Sequence, residues 1–436
     1  MPDFVAPQLE RSFYDELPIL DHVRRGAEAR RCAPDAVLLA VLCRIAALVT
    51  PAHRLTTERP LSLNLCGGLV APPGYGKSTA WQAARGLVPD LGPRVLDGRG
   101  LGTGEGLIDA YLGAARQVSK DESHENYERP RIYDGAAYYV DEGDTMLRHG
   151  LRQGSTLLQH IRTAWSGYAL STTNANGDTR RHLPDYSYAF ALCAAFQANV
   201  GGALLADSEG GTPQRFLLAS AQDRLMPDVR PTWPGPFAFR SEDVLGVAHE
   251  IGVNREIERE VDARTVSKNH GTRKVEALDT HEDAIRLKVA GLLAVLSALV
   301  GGTGHAYVGL REWTLASQVA RNSVGLRRAL EHYGEVSKAE KRDERVRERN
   351  AENEATDEIT FQRLRTRIVE RLEDLVLSGK FGDKAPTESA LWDRVAHRDR
   401  SRIGRDEVLP EIYKRGRVSL VGGRVVPVAR SRAGAA

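Results

Sequence analysis

The residues best equipped for chemistry lie in "NLCGGLVAPPGYGKSTAWQAAR", residues 64 to 85. Gly74 and Gly76 let backbone N–H groups crowd together, Pro72 and Pro73 stiffen the approach, and Lys77 and Ser78 follow directly. A phosphate-binding loop needs a buried strand to deliver it, glycines at the turn, and a helix starting where the N–H groups point. "LSLNLCGGLV" supplies the strand and "STAWQAARGL" the helix, so the backbone of Gly74, Tyr75, Gly76, Lys77, Ser78 and Thr79 would surround the phosphates. Lys77 would reach the β- and γ-phosphates of ATP, and Ser78 would ligate Mg²⁺. Ala71 stands where the pattern G-x-x-x-x-G-K-[ST] has its first glycine. Only a small residue leaving the strand is needed there, and alanine is expected to serve.

Hydrolysis needs a carboxylate at the end of a neighbouring buried strand to hold the metal, and a second to polarise water. "AAYYVDEGD", residues 136 to 144, has that form. Asp141 is expected to serve Mg²⁺ and Glu142 the attacking water, an arrangement for hydrolysis coupled to movement. No N-K-x-D guanine-reading motif is present. Between the two motifs, Thr103 is expected to cap a helix beginning near Glu105; Glu105 reaching the site is the less favoured reading. "YAFALCAAFQ" reads as a further buried strand whose terminal Gln197 would sense loss of the γ-phosphate.

Asn176-Gly177, between two extended runs, is a strong hairpin signal. Arg180 and Arg181 follow its tip, and a basic hairpin before such a strand would grip DNA phosphates without reading sequence. Arg215, in "GGTPQRFLLAS", reads either as an arginine finger offered across a subunit boundary or as an ordinary surface or salt-bridging arginine, with Arg240 the weaker finger candidate.

These residues must be positioned by a chain of 436 residues, long enough for about three domains. Residues 1–59 read as a helical region, 60–236 as the ATPase core with a hairpin inserted at 170–188, and 237–337 as a second helical region. Residues 338–359 read as a charged, linker-like helix. Within 360–436, three short helices precede a two-stranded wing around Gly422-Gly423, a winged-helix pattern. From Glu388 onward eleven Lys or Arg stand against six Asp or Glu, whereas the chain as a whole carries a net charge of only +2. DNA contact is therefore expected locally, through Arg402, Arg405, Lys414, Arg415 and Arg424. Cys32, Cys43, Cys66 and Cys193 sit in apolar runs without metal-ligand spacing and read as buried, reduced thiols. No signal pattern or membrane-length apolar run is apparent, so a cytoplasmic protein without membrane partners is expected.

Taken together, "FYDELPILDHVRRGAEARRCAPDAVLLAVLCRIAALVTP", "SLNLCGGLVAPPGYGKS", "GLGTGEGLIDAY", "YYVDEGD", "RQGSTLLQHIRTAWSG" and "GGTPQRFL" resemble the helicase-like ATPases of actinobacterial phages and integrative elements. These are related to the ATPase domain found behind primase–polymerase domains. The resemblance covers most of residues 12 to 330. It implies an α/β, RecA-like or AAA+-like core with a mostly parallel sheet, replication of a mobile element, and assembly into a homo-oligomeric ring, taken as hexameric. It supports Lys77, Ser78, Asp141 and Glu142 as the ATP site, and Arg215 less directly. No primase–polymerase domain is present, so a primase would be a separate chain. The expectation is a Mg²⁺-dependent ATPase that moves along single-stranded DNA and unwinds it, with an origin duplex as a further partner. A DNA-binding initiator or helicase loader, and a nucleotide-switched scaffold in phage defence or regulation, are the alternatives.

Overall fold

A computed structural model describes residues 4–58, 60–121, 124–172, 180–198, 202–205, 207, 210–274 and 276–428. The chain divides into two compact units, Met1–Lys338 and Ala339–Ala436.

The first unit is built on a five-stranded sheet, β1 (Leu65–Ala71), β2 (Val95–Arg99), β3 (Gly135–Val140), β4 (Ala189–Gln197) and β5 (Phe216–Ser220), ordered β5-β1-β4-β3-β2. Every pairing is parallel. All seven residues of β1 are buried, and β4 is buried up to Gln197, as for strands covered on both faces. Helix α1 (Pro34–Leu48) starts with proline at its first turn and is buried along its whole length against the sheet. Gly67 permits that packing, since a Cβ there would lie 3.0 Å from Cys43 Sγ and from Leu39, while one on Gly68 would lie only 2.6 Å from Leu218 of the neighbouring strand. Even Arg44 is enclosed on α1, donating to Val88 O at 2.7 Å and to Asp97 at 2.6 Å.

Helices α2 (Lys77–Leu87), α3 (Gly143–Gly150) and α4 (Leu157–Ser166) follow β1 and β3, and α5 (Glu282–Gly301) packs on the same core. By length and composition α5 is apolar enough to cross a membrane, yet most of its residues are buried inside the unit. One hydrophobic core runs from Phe4 to Tyr333, so the three regions expected up to residue 337 pack as a single unit. The region after residue 236 is not purely helical: Glu250–Val253 and Tyr307–Val308 join Arg54–Leu55 and Leu61–Ser62 in a small four-stranded sheet.

Two ties fix the start of β1. Asn64 donates to Ala164 O at 2.7 Å and accepts from Phe190 N at 2.9 Å, joining α4 and β4. Lys288 of α5 is fully buried and donates to Ser62 O, Asn64 O and Trp165 O at 2.8 to 2.9 Å. A rigid β1 aims the loop that leaves its far end.

The charged stretch is helical, lying within α6 (Leu310–Leu377) and exposed from Glu340 to Thr360. The second unit has its own core of Leu364, Ile368, Val369, Leu372, Leu391, Val408, Ile412, Val418 and neighbours. Three short helices, Glu388–Trp392, His397–Arg400 and Arg405–Lys414, lead into the antiparallel strands Val418–Val421 and Arg424–Pro427. Gly422 and Gly423 turn that hairpin with φ of +58° and +74°.

Candidate functional site

In a parallel sheet, ligands meet the carboxyl ends of the strands where strand order reverses. The register brings the relevant ends together, with Ala71 opposite Gln197 and Val140 opposite Ala194. From Ala71 the chain turns through Pro72–Gly76 into α2. Gly74 and Gly76 have φ of +85° and +73°, a left-handed backbone that favours glycine. Gly76 is the residue before α2, and no side chain caps that helix. Its first N–H groups are thus oriented for an anion.

Around this turn lies a cavity of about 580 Å³. Pro73, Gly74, Gly76, Lys77, Ser78 and Thr79 form one wall, and Asp141, Glu142, Asp144, Thr145, Arg148 and Gln197 line the rest. The volume falls in the range of ligand pockets, and the lining combines a cation, a hydroxyl and carboxylates. Tyr75 is exposed at the turn and does not line the cavity.

Lys77 is half-buried and folds back, its Nζ donating to Ala71 O and Pro72 O at 3.1 Å each. Burial lowers its pKa, while Asp141 and Asp144 act the other way. Asp141 is exposed and accepts from Tyr139 Oη at 2.8 Å. Glu142, also exposed, precedes α3 and accepts from Thr145 Oγ1 at 3.2 Å. Gln197 is exposed at the end of β4, and its backbone N–H donates to Asp144 Oδ2 at 3.2 Å.

Asp144 and Arg148 were missed from sequence, although "DEGD" places a third acid three residues after Asp141. Asp144 is only 7% exposed, and its Oδ1 has no hydrogen-bond partner. Burial raises its pKa, opposed by the Gln197 N–H, Arg148 and Lys77. Among the described residues no group of three His, Cys, Asp or Glu could hold a metal alone. The donors present, Ser78 and separated carboxylates including an unpartnered buried oxygen, fit a hard cation that brings phosphate oxygens and water with it.

Other expected residues lie elsewhere. Thr103 caps its helix as expected, accepting from Gly106 N at 2.9 Å. Glu105 accepts from Thr156 Oγ1 at 2.9 Å and does not line the cavity. Arg215 precedes β5, whose first residue Phe216 pairs with Cys66, five residues before Ala71. At roughly 3.3 Å per residue this is about 16 Å from the loop end of β1, at the opposite, amino-terminal end of the neighbouring strand. Arg215 is half-buried there, donating to Gly211 O at 2.6 Å with its guanidinium 5.6 Å from the Trp165 ring. Burial, then Arg162, lowers its pKa. Arg240 is exposed and pairs with Glu242 at 2.6 Å.

Leu170–Thr172 and Arg181–Leu183 pair antiparallel, with the Asn176-Gly177 tip outside the described residues. Arg180 is exposed. Arg181 is mostly buried and pairs with Asp109 at 2.8 Å, so it is held against the body of the unit rather than presented to a partner. In the second unit Arg402 is exposed. Arg405 pairs with Glu388 at 2.9 Å, Arg415 with Glu370 at 3.6 Å and the buried Glu373 at 3.7 Å, and Lys414 with Glu411 at 4.0 Å. Arg424 donates to Ala385 O at 2.5 Å. All four cysteines are buried and free.

No protein-family model and no curated protein matches the chain.

Proposed function

We propose that the first unit is a P-loop ATPase whose hydrolysis drives movement of the protein along DNA. The observation that carries the reading is the cavity in which a left-handed Gly74–Gly76 turn, the uncapped start of α2, Lys77 and Ser78 face Asp141, Glu142 and Gln197. A second cavity, of about 510 Å³, is lined by Glu58, Arg255, Glu258, Arg259, Asp262 and Asp283 among others and has no such turn in its lining.

In this reading the N–H groups from Gly74 to Thr79 hold the phosphates, and Lys77 leaves the Ala71 and Pro72 carbonyls to neutralise them. Ser78 and Asp141 would hold Mg²⁺, which supplies charge neutralisation on the phosphate oxygens when bound. Glu142, exposed at the cavity, orients the attacking water and takes up its proton. Gln197, fixed through its backbone to Asp144, senses the terminal phosphate. Arg215 stands too far from its own chain's loop to help there, so its catalytic role requires a neighbouring subunit and hence a homo-oligomer. The resemblance adds a hexameric ring, helicase activity on single-stranded DNA, and a role in replication of a phage or mobile element with a separate primase. Arg180 and the winged helix of the second unit, through Arg402 first, would meet DNA phosphates.

ATP hydrolysis by the purified protein, with and without single-stranded DNA, tests this. Strong stimulation, absent in Glu142→Gln, is the expected result. Hydrolysis indifferent to DNA would refute the motor and the initiator alike.

One observation favours a second reading, a nucleotide-switched module whose second unit docks a protein. Arg405, Lys414 and Arg415 are engaged with carboxylates, and beside its tip the hairpin carries exposed Leu420 and Val421, with Arg424 donating to Ala385 O. DNA binding that is weak and insensitive to salt would support it, since phosphate contacts weaken steeply with salt.

A further inference from the structure

We infer that Arg148 is a specificity residue of the cavity, its guanidinium binding the terminal phosphate of ATP from within the same chain. This rests on the ATPase reading and names the side chain that tells ATP from ADP. Arg148 lines the cavity, is exposed, and its side chain makes no hydrogen bond or ion pair among the described residues. It sits on α3 four residues after Asp144 and three after Thr145, so the three share one face of that helix, and all three line the cavity. Its charge is felt inside: burial raises the pKa of Asp144, and the Gln197 N–H, Arg148 and Lys77 oppose that rise.

The distribution of charge around the cavity says what Arg148 holds. Among the described residues the lining has two cations, Lys77 in the loop wall and Arg148 on α3. The α3 side also carries Asp141, Glu142 and Asp144, and a phosphate chain extending from the loop toward these acids is repelled. Glu142 must still come close to the terminal phosphate to orient water at it. A cation on the same side offsets the repulsion, and Arg148 is the cation found there. The guanidinium also suits the ligand in shape, since its planar fork offers two parallel N–H donors to two phosphate oxygens. The inner phosphates rest on the N–H groups from Gly74 to Thr79, so the third is the one that reaches α3. ADP lacks that group and leaves Arg148 as it stands in the empty cavity.

The test is titration calorimetry in the presence of Mg²⁺, with ADP and with a non-hydrolysable imido analogue of ATP, on wild type, Arg148→Ala and Arg148→Lys. Because the side chain is exposed and unpaired, both variants should melt within about 2 °C of wild type. Arg148→Ala should bind the analogue about tenfold more weakly, the scale of one hydrogen bond to a charged group, and bind ADP within about twofold of wild type. Arg148→Lys, which keeps the charge and loses the fork, should fall between alanine and wild type for the analogue. Equal loss for the two nucleotides would mean a general attraction of anions, and no loss for the analogue would remove Arg148 from the site; each overturns the inference. Wild type that binds neither nucleotide would overturn the ATPase reading itself, a result distinct from those of the variants.

Discussion

Replacing Lys77 by Met separates a ligand-binding lysine from a structural one. The ammonium makes two 3.1 Å hydrogen bonds to Ala71 O and Pro72 O, and burial lowers its pKa. Methionine keeps the stem and removes both the bonds and the partly desolvated charge. Those changes oppose each other in a half-exposed group, leaving stability within about 1 kcal/mol of wild type. Toward a nucleotide nothing compensates. Losing an ammonium on the phosphates costs about 3 kcal/mol, roughly a 150-fold rise in Kd. ADP at 100 times the wild-type Kd stabilises the folded state by about 2.7 kcal/mol, which for a unit of this size raises Tm by about 4 °C. The same ADP concentration is below the variant's Kd, contributes about 0.3 kcal/mol and shifts Tm by less than about 1 °C. Thermal melts with and without Mg·ADP, alongside direct titration, read both quantities. A variant that retains the shift of about 4 °C, or one that melts far below wild type without ligand, would refute the reasoning.

Glu142→Gln should bind Mg·ADP within about twofold of wild type and lose hydrolysis by about 10²-fold or more, as expected when a general base is removed; hydrolysis within tenfold of wild type would count against its role. Gly76→Ala tests the turn itself. There is room for the methyl group, whose nearest neighbour would be Thr79 at 3.7 Å, but φ is +73°. The left-handed backbone costs an alanine about 1–2 kcal/mol, and ADP should bind about tenfold more weakly as the turn relaxes; calorimetry showing unchanged affinity would contradict this. Burial lowers the Lys288 amine to about 7, against an ordinary value above 10. Between these values the unfolded chain carries a proton that the folded state lacks. This group's contribution to stability therefore rises with pH in that window, by at most about 1.4 kcal/mol per unit, and is flat below it. Urea denaturation at pH 7.5 and 9.5 should show that slope reduced in Lys288→Met; identical slopes in the two proteins would refute it.

The sequence by itself determined what depends on neighbours along the chain. Gly74 and Gly76 announced a turn with positive φ, Thr103 a helix cap, Gly422-Gly423 a hairpin, and the apolar runs of residues 65–71 and 189–197 two fully buried strands. These are local backbone requirements, written in the residues that satisfy them. Only the tertiary structure decided what those elements face. Strand order set β4 between the strands that lead to Ala71 and Asp141, and the parallel register placed Arg215 at the opposite end of the sheet from the loop. Burial selected Asp144 from three nearby acids, enclosed Lys288 in a core helix, and turned Arg181 onto Asp109. Charge and spacing look alike for an exposed carboxylate, a buried one and an ion-paired one. Their difference is desolvation, which is fixed by residues far away in the chain and so appears only once the chain has packed.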